Sequence, residues 1–146
     1  IMDSMQAKQA WSGRYGELWV NDHYLAEITE FKATVTLDKT EVKMIKHRAK
    51  GYKITGYTAK GSLKLHKVDS FFLKQMDNEI KEGHQPVFTI QSNISDPDSA
   101  TGAERIIIRD ATFDELILAD WAVDKIGEES YNFTFSDWEV MDAAYN

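Results

Sequence analysis

The chain has no cysteine. That excludes a disulfide framework and thiolate chemistry, and it is compatible with a reducing compartment. No run of 18 or more apolar residues occurs, and the polar start is not a signal peptide, so a soluble protein without membrane contact is expected. Repeats of 20 to 50 residues and low-complexity runs are also missing.

Motifs for chemistry are equally scarce. The four histidines, His23, His47, His66 and His84, lack a partner at metal-ligand spacing. Lys60-Gly61-Ser62 reverses the Gly-Lys-Ser/Thr order that sets a lysine over phosphates, so Gly51, Gly56 and Gly61 more simply permit turns or close backbone approach. No Gly-x-Ser-x-Gly elbow is present. The pairs Asp114-Glu115 and Glu128-Glu129 are adjacent, and adjacent strand residues point to opposite faces, so neither pair shares a proton site. The expectation is no catalysis, no cofactor, no metal and no small-molecule substrate.

What the chain does have is segregated charge. Against a net charge of -7, the stretch from Asp38 to Lys67 holds nine Lys or Arg beside Asp38 and Glu41. From Asp96 to Asp142 acids far outnumber Arg105, Arg109 and Lys125. Two such halves attract one another, within one molecule or between copies.

At 146 residues, a single domain covering 1–146 is expected, burying roughly two thirds of its unfolded surface. Residues 1–12 carry no pattern and are expected to form a flexible arm. Ile1 is not an ordinary initiator, so the residues ahead of Met2 or Met5 are expected to be foreign to the natural chain. Tyr15 to Val20, Asn21-Asp22 and Tyr24 to Ile28 spell strand, turn, strand. Glu30 to Leu37 alternates fully, with Phe31, Ala33, Val35 and Leu37 on one face.

From Thr40 to Thr55 neither period persists, which predicts a long basic loop or arm over about 39–55. From Tyr57 alternation begins, with Tyr57, Ala59, Gly61, Leu63 and Leu65 inward. Asp69 or Ser70 then caps a helix over about 70–82, whose apolar face is Phe72, Met76 and Ile80, and Gly83 ends it. That face is expected to pack on Phe31, Val35, Leu63 and Leu65.

Val87 to Ile90 is a short strand, and Asn93 to Gly102 a surface loop. Glu104 to Phe113 is a strand whose parity shifts between Ile108 and Ala111, which calls for a bulge near Arg109 or Asp110, or for burial on both faces. Leu116 to Ile126 suits either a short helix or two strands around Asp120. Tyr131, Phe133 and Phe135 alternate again as a strand. The result is a mainly β (α+β) fold, a sandwich or half-barrel of antiparallel strands with one flanking helix.

The basic stretch carries one functional alternative. Lys43, Lys46, Arg48, Lys50 and Lys53, interleaved with Tyr52 and Tyr57, have the composition of a groove that contacts phosphates and stacks bases, as in a nucleic-acid-binding β-barrel.

Several strings, in order, resemble a known family. Ser12-Gly13-Arg14-Tyr15-Gly16-Glu17-Leu18-Trp19-Val20-Asn21-Asp22, then Lys39-Thr40-Glu41-Val42, then Gly51 through Thr55-Gly56 to Gly61, look like the phage tail tube proteins of the PBSX-like core tail group. Glu104-Arg105 and Phe133-Thr134-Phe135-Ser136-Asp137 continue the likeness. The resemblance implies a β-sandwich or half-barrel, six copies closing into a ring, and rings stacking into a tube like those of contractile phage tails and R-type bacteriocins. It also implies sheath, baseplate and tail-terminator proteins as partners, and DNA passing through the lumen where the particle delivers it. The product would be made in a bacterial cytoplasm and reside in a virion tail or a released bacteriocin particle.

A ring closes through two different complementary patches. The candidates on the basic side are Lys43, Lys46, Arg48, Lys50, Tyr52 and Lys53, and on the acidic side Asp110, Asp114, Glu128 and Glu129.

Overall fold

The structure is a computed structural model, and it describes residues 16–43, 51–95 and 103–142. In chain order its elements are β1 (Gly16–Val20), β2 (His23–Tyr24), β3 (Ile28–Val42), β4 (Gly51–His66), α1 (Phe71–Lys81), β5 (Phe88–Ile94), β6 (Glu104–Phe113), β7 (Glu128–Thr134) and β8 (Asp137–Asp142). The fold is mainly antiparallel β with one helix among the described residues, as expected. The expected flexible arm at 1–12 and the tip of the expected loop at Asp96–Gly102 lie outside the described residues.

The strands form one unclosed sheet, ordered β2-β1-β5-β6-β7-β4-β3, with β8 also pairing β6. Strand β6 is its corner. Its first part pairs with β5 and β8, and only Thr112 and Phe113 pair with β7, opposite Thr134 and Phe133. The change of partner comes right after an extra residue on β6: Phe88 faces Ala111, but Ile90 faces Ile108. Asp110 sits in that bulge at φ 56°, and a bulge of this kind bends a strand from one layer to the next. The bulge expected near Arg109 or Asp110 is therefore present, and it also restores parity. Ile108 and Ala111 both end up buried.

Two more bulges do the same work in the long β3–β4 hairpin, at Thr29 and at Thr55. Each extra threonine hydroxyl donates to a carbonyl across the ladder, to Lys64 O at 3.2 Å and to Asp38 O at 3.4 Å. The first bulge lets Ile28 and Phe31 share the core face despite opposite parity, across from Leu65 and Leu63.

The β1–β2 turn is the expected one. Asn21 and Asp22 both take positive φ, as a two-residue type I′ hairpin requires, and Asn21 Oδ1 accepts the Thr89 amide at 2.9 Å. The second strand is shorter than expected, because a turn at 25–27 intervenes before Ile28.

Helix α1 is entered by Asp69, whose carboxylate accepts the Phe71 amide at 3.1 Å, while Ser70 makes no side-chain cap. It ends at Gly83 with φ 80°, where His84 N–H donates to Glu79 O and Gly83 N–H to Ile80 O, a Schellman closure. Phe72 and Met76 are buried, but Ile80 is exposed. Phe72 sits among Phe88, Phe113 and Tyr131, with ring centroids 4.7 to 6.3 Å away. The aromatic rings that meet Phe72 from the sheet lie on β5, β6 and β7, and Phe72 and Met76 share one core cluster with Leu63 and Leu65, against which Phe31 and Val35 pack. The aromatic side chains of β7 continue the core, with Phe31 stacked on Phe133.

Candidate assembly surfaces

The largest departure from expectation is at 39–55. Its described residues are not a loop. They are the outer half of the β3–β4 hairpin, paired as far as Val42 and Gly51. The sequence pattern failed there because of Thr55: Asp38 faces Gly56, but Lys39 faces Ile54 and Glu41 faces Tyr52. The slip carries even-numbered Ile54 and Tyr52 onto the same face as odd-numbered Tyr57, Ala59 and Leu63.

The core-facing stripe of the hairpin thus runs on past the core. Ala59 and Leu63 are buried, Leu37 and Tyr57 are half-exposed, and beyond them Ile54 is 55% and Tyr52 62% exposed. The ring of Trp138, on β8, meets Tyr57 edge-on at 5.5 Å, which marks where the body of the subunit stops. Lys43 and Lys53 are exposed on this projection. Lys46, Arg48 and Lys50 lie outside the described residues.

The four acidic candidates have different surroundings. Asp110 forms the corner bulge and accepts the Ser136 hydroxyl at 3.2 Å. Asp114 and Glu128 are exposed at the two ends of the connection between β6 and β7. Glu129 is buried, with Lys67 Nζ on one carboxylate oxygen and the Tyr131 hydroxyl donating to the other, both at 3.1 Å. Burial, reinforced by the Glu129 charge, pushes the Tyr131 phenol well above its ordinary pKa. Glu129 is therefore engaged inside the subunit, and its neighbour Glu128 points the other way, as alternation requires.

The connection itself, residues 114–127, is neither the helix nor the strand pair anticipated for Leu116 to Ile126. It is an irregular strap, tied at its start by the Asp114 amide to Asn132 O at 2.9 Å and at its end by the Lys67 amide to Gly127 O at 2.8 Å. Leu116 and Ile117 pack against the core, whereas Leu118, Trp121, Val123 and Ile126 face solvent. The one signal in the sequence was apolar density without a period.

These features can be set beside known proteins. The family model described as phage tail tube protein matches residues 3–142. The chain belongs to the phage tail tube family. It is 35% identical over 138 residues to the phage-like element PBSX protein XkdM of Bacillus subtilis (strain 168), covering 94% of each. Its fold is similar to that in the sheath-tube complex of an extracellular contractile injection system, PVC, in the extended state, with a TM-score of 0.72, 9% identity and coverage of 96% of this chain and 100% of that one. It is equally similar to a chain of the tube-terminating cap of the anti-feeding prophage, with a TM-score of 0.72, 9% identity and coverage of 97% of each.

Proposed function

We propose that the chain is the structural subunit of a contractile-type tail tube, in which six copies close into a ring and rings stack into a hollow tube. The observation that carries this reading is the projecting hairpin: an apolar stripe ending in Ile54 and Tyr52 that leaves the core and stays exposed among the described residues. Membership of the family and the fold shared with tube and cap chains of injection systems support it.

The sheet is unclosed, with β3 at one end of the strand order and β2 at the other. Exposed edges invite pairing with further chains, and joining the sheets of six copies would remove them. Lys43, Lys46, Arg48, Lys50, Tyr52 and Lys53 serve as the arm side of the contact between copies, and Asp110, Asp114 and Glu128 as acids on the receiving side. Partners are other copies, a sheath outside, baseplate and terminator proteins at the ends, and DNA in the lumen where the particle carries it. The subunit works without a catalytic step or cofactor, is made in the bacterial cytoplasm and ends in a virion tail or released particle.

Electron microscopy of the purified chain tests the reading. Rings or tubes are expected. A protein that stays monomeric at high concentration and instead binds DNA with strong salt dependence would favour the nucleic-acid-binding barrel.

A further inference from the structure

The strap between β6 and β7 is the most conspicuous apolar surface that the core does not use. Leu118, Trp121, Val123 and Ile126 are between 71% and 80% exposed, within nine residues of one another. Four large apolar side chains so close together on a connection with no regular structure mark a contact surface. Around them the stretch 114–128 carries Asp114, Glu115, Asp120, Asp124 and Glu128 against Lys125 alone.

The hairpin is its counterpart. Its exposed apolar residues Tyr52 and Ile54 are flanked by Lys39, Lys43 and Lys53, and the stretch 39–55 holds six Lys or Arg against Glu41. Each surface therefore pairs apolar anchors with a rim of charge, and the rims have opposite sign.

The two cannot meet within one subunit. Gly127 is bonded to Lys67, at the base of β4, so Val123, four residues before it, reaches at most about 14 Å from that point. Tyr52 lies fifteen residues from Lys67 along β4, roughly 50 Å away at strand spacing. The hairpin projects from one end of the long strands, and the strap is tied at the other.

We infer that the strap is the receptor for the hairpin of a second copy of this chain: Tyr52 and Ile54 of one subunit lie on Trp121 and its apolar neighbours in the next, inside a rim where lysines face the strap carboxylates. Two different surfaces at opposite ends of one subunit give a head-to-tail contact that repeats from copy to copy. The inference rests on the assembly reading above and names the contact that reading requires.

The absence of cysteine makes the test direct. Tyr52→Cys and Val123→Cys are introduced separately and together, assembled, and oxidised with copper phenanthroline. The double variant should give a ladder of covalent oligomers on a non-reducing gel, and the two single variants mixed should give dimers and nothing longer. Trp121 fluorescence in the otherwise unmodified chain should shift to the blue on assembly, read against Trp121→Phe.

Tubes that form without a ladder, with Trp121 still exposed, would overturn this contact and leave the strap to another protein of the tail, while the tube reading stands. Failure of the unmodified chain to assemble at all would overturn both. Crosslinking confined to monomers would place hairpin and strap in one subunit and contradict the geometry.

Discussion

Lys39 of β3 stands opposite Ile54 of β4, one residue out of step with the pairing that sets Asp38 opposite Gly56. That single slip decides which side chains the outer hairpin offers to a neighbour. Inserting one residue between Asp38 and Lys39, so that Thr55 gains a partner, should remove the bulge and turn Lys53 and Gly51 onto the face that Ile54 and Tyr52 now hold. The variant should keep the stability of the monomer to within about 0.5 kcal/mol, since the residues involved are exposed, but should lose assembly. Denaturation and sedimentation measured side by side check both halves.

The same slip explains what was legible in the sequence and what was not. Where alternation is unbroken, as from Tyr57 to Leu65 and from Tyr131 to Phe135, strand and core face follow from period 2 alone. The bulge on β6 left a mark too, because Ile108 and Ala111 are both apolar and differ in parity. At Thr55 the flanking residues are polar or exposed, so the change of parity looked like the absence of a strand. The strap was unreadable for a different reason: only Leu116 and Ile117 pack on the core while Leu118, Trp121, Val123 and Ile126 are exposed, and periodicity reports only burial on an element's own face. Likewise β8 follows a sharp bend at Phe135-Ser136, too close to β7 to show a separate pattern. Among the site residues, composition pointed to the hairpin's bases, but only the pairing of Glu129 with Lys67 and Tyr131 removes that acid from the surface.

Phe72 is the anchor of the helix. Its replacement by Ala should cost about 3 to 5 kcal/mol, because it leaves a hole among Phe88, Phe113 and Tyr131. Ile80→Ala on the same helix should change stability by less than about 0.5 kcal/mol. Urea titration of the monomer separates the two.

Gly61 has no room for a side chain. A Cβ there would run into the Lys32 carbonyl and the Phe133 ring, and neither is free to withdraw. Gly61→Val should destabilise the fold by about 1 to 3 kcal/mol, and shortening the opposing ring with Phe133→Leu should recover part of the loss. A double-mutant cycle in urea measures the coupling.

The Tyr131 phenol ionises with more difficulty in the folded chain than in the unfolded one. A raised acid pKa contributes stability that is complete below the unfolded value, about 10 for tyrosine, and is lost as pH rises from there through the folded value. Wild type should therefore lose more stability than Tyr131→Phe between about pH 9 and pH 11. Parallel falls of the two proteins in thermal melts would show that the phenol stays as easy to ionise as in the unfolded chain.

The central claim is that the hairpin's exposed apolar stripe joins one copy to the next. Electron microscopy with sedimentation, applied to wild type and to Tyr52→Ser with Ile54→Ser, tests it most directly. Rings or tubes from wild type and a folded monomer from the variant are the predicted result. Tubes of normal length from the variant, or a wild type that remains monomeric, would contradict it.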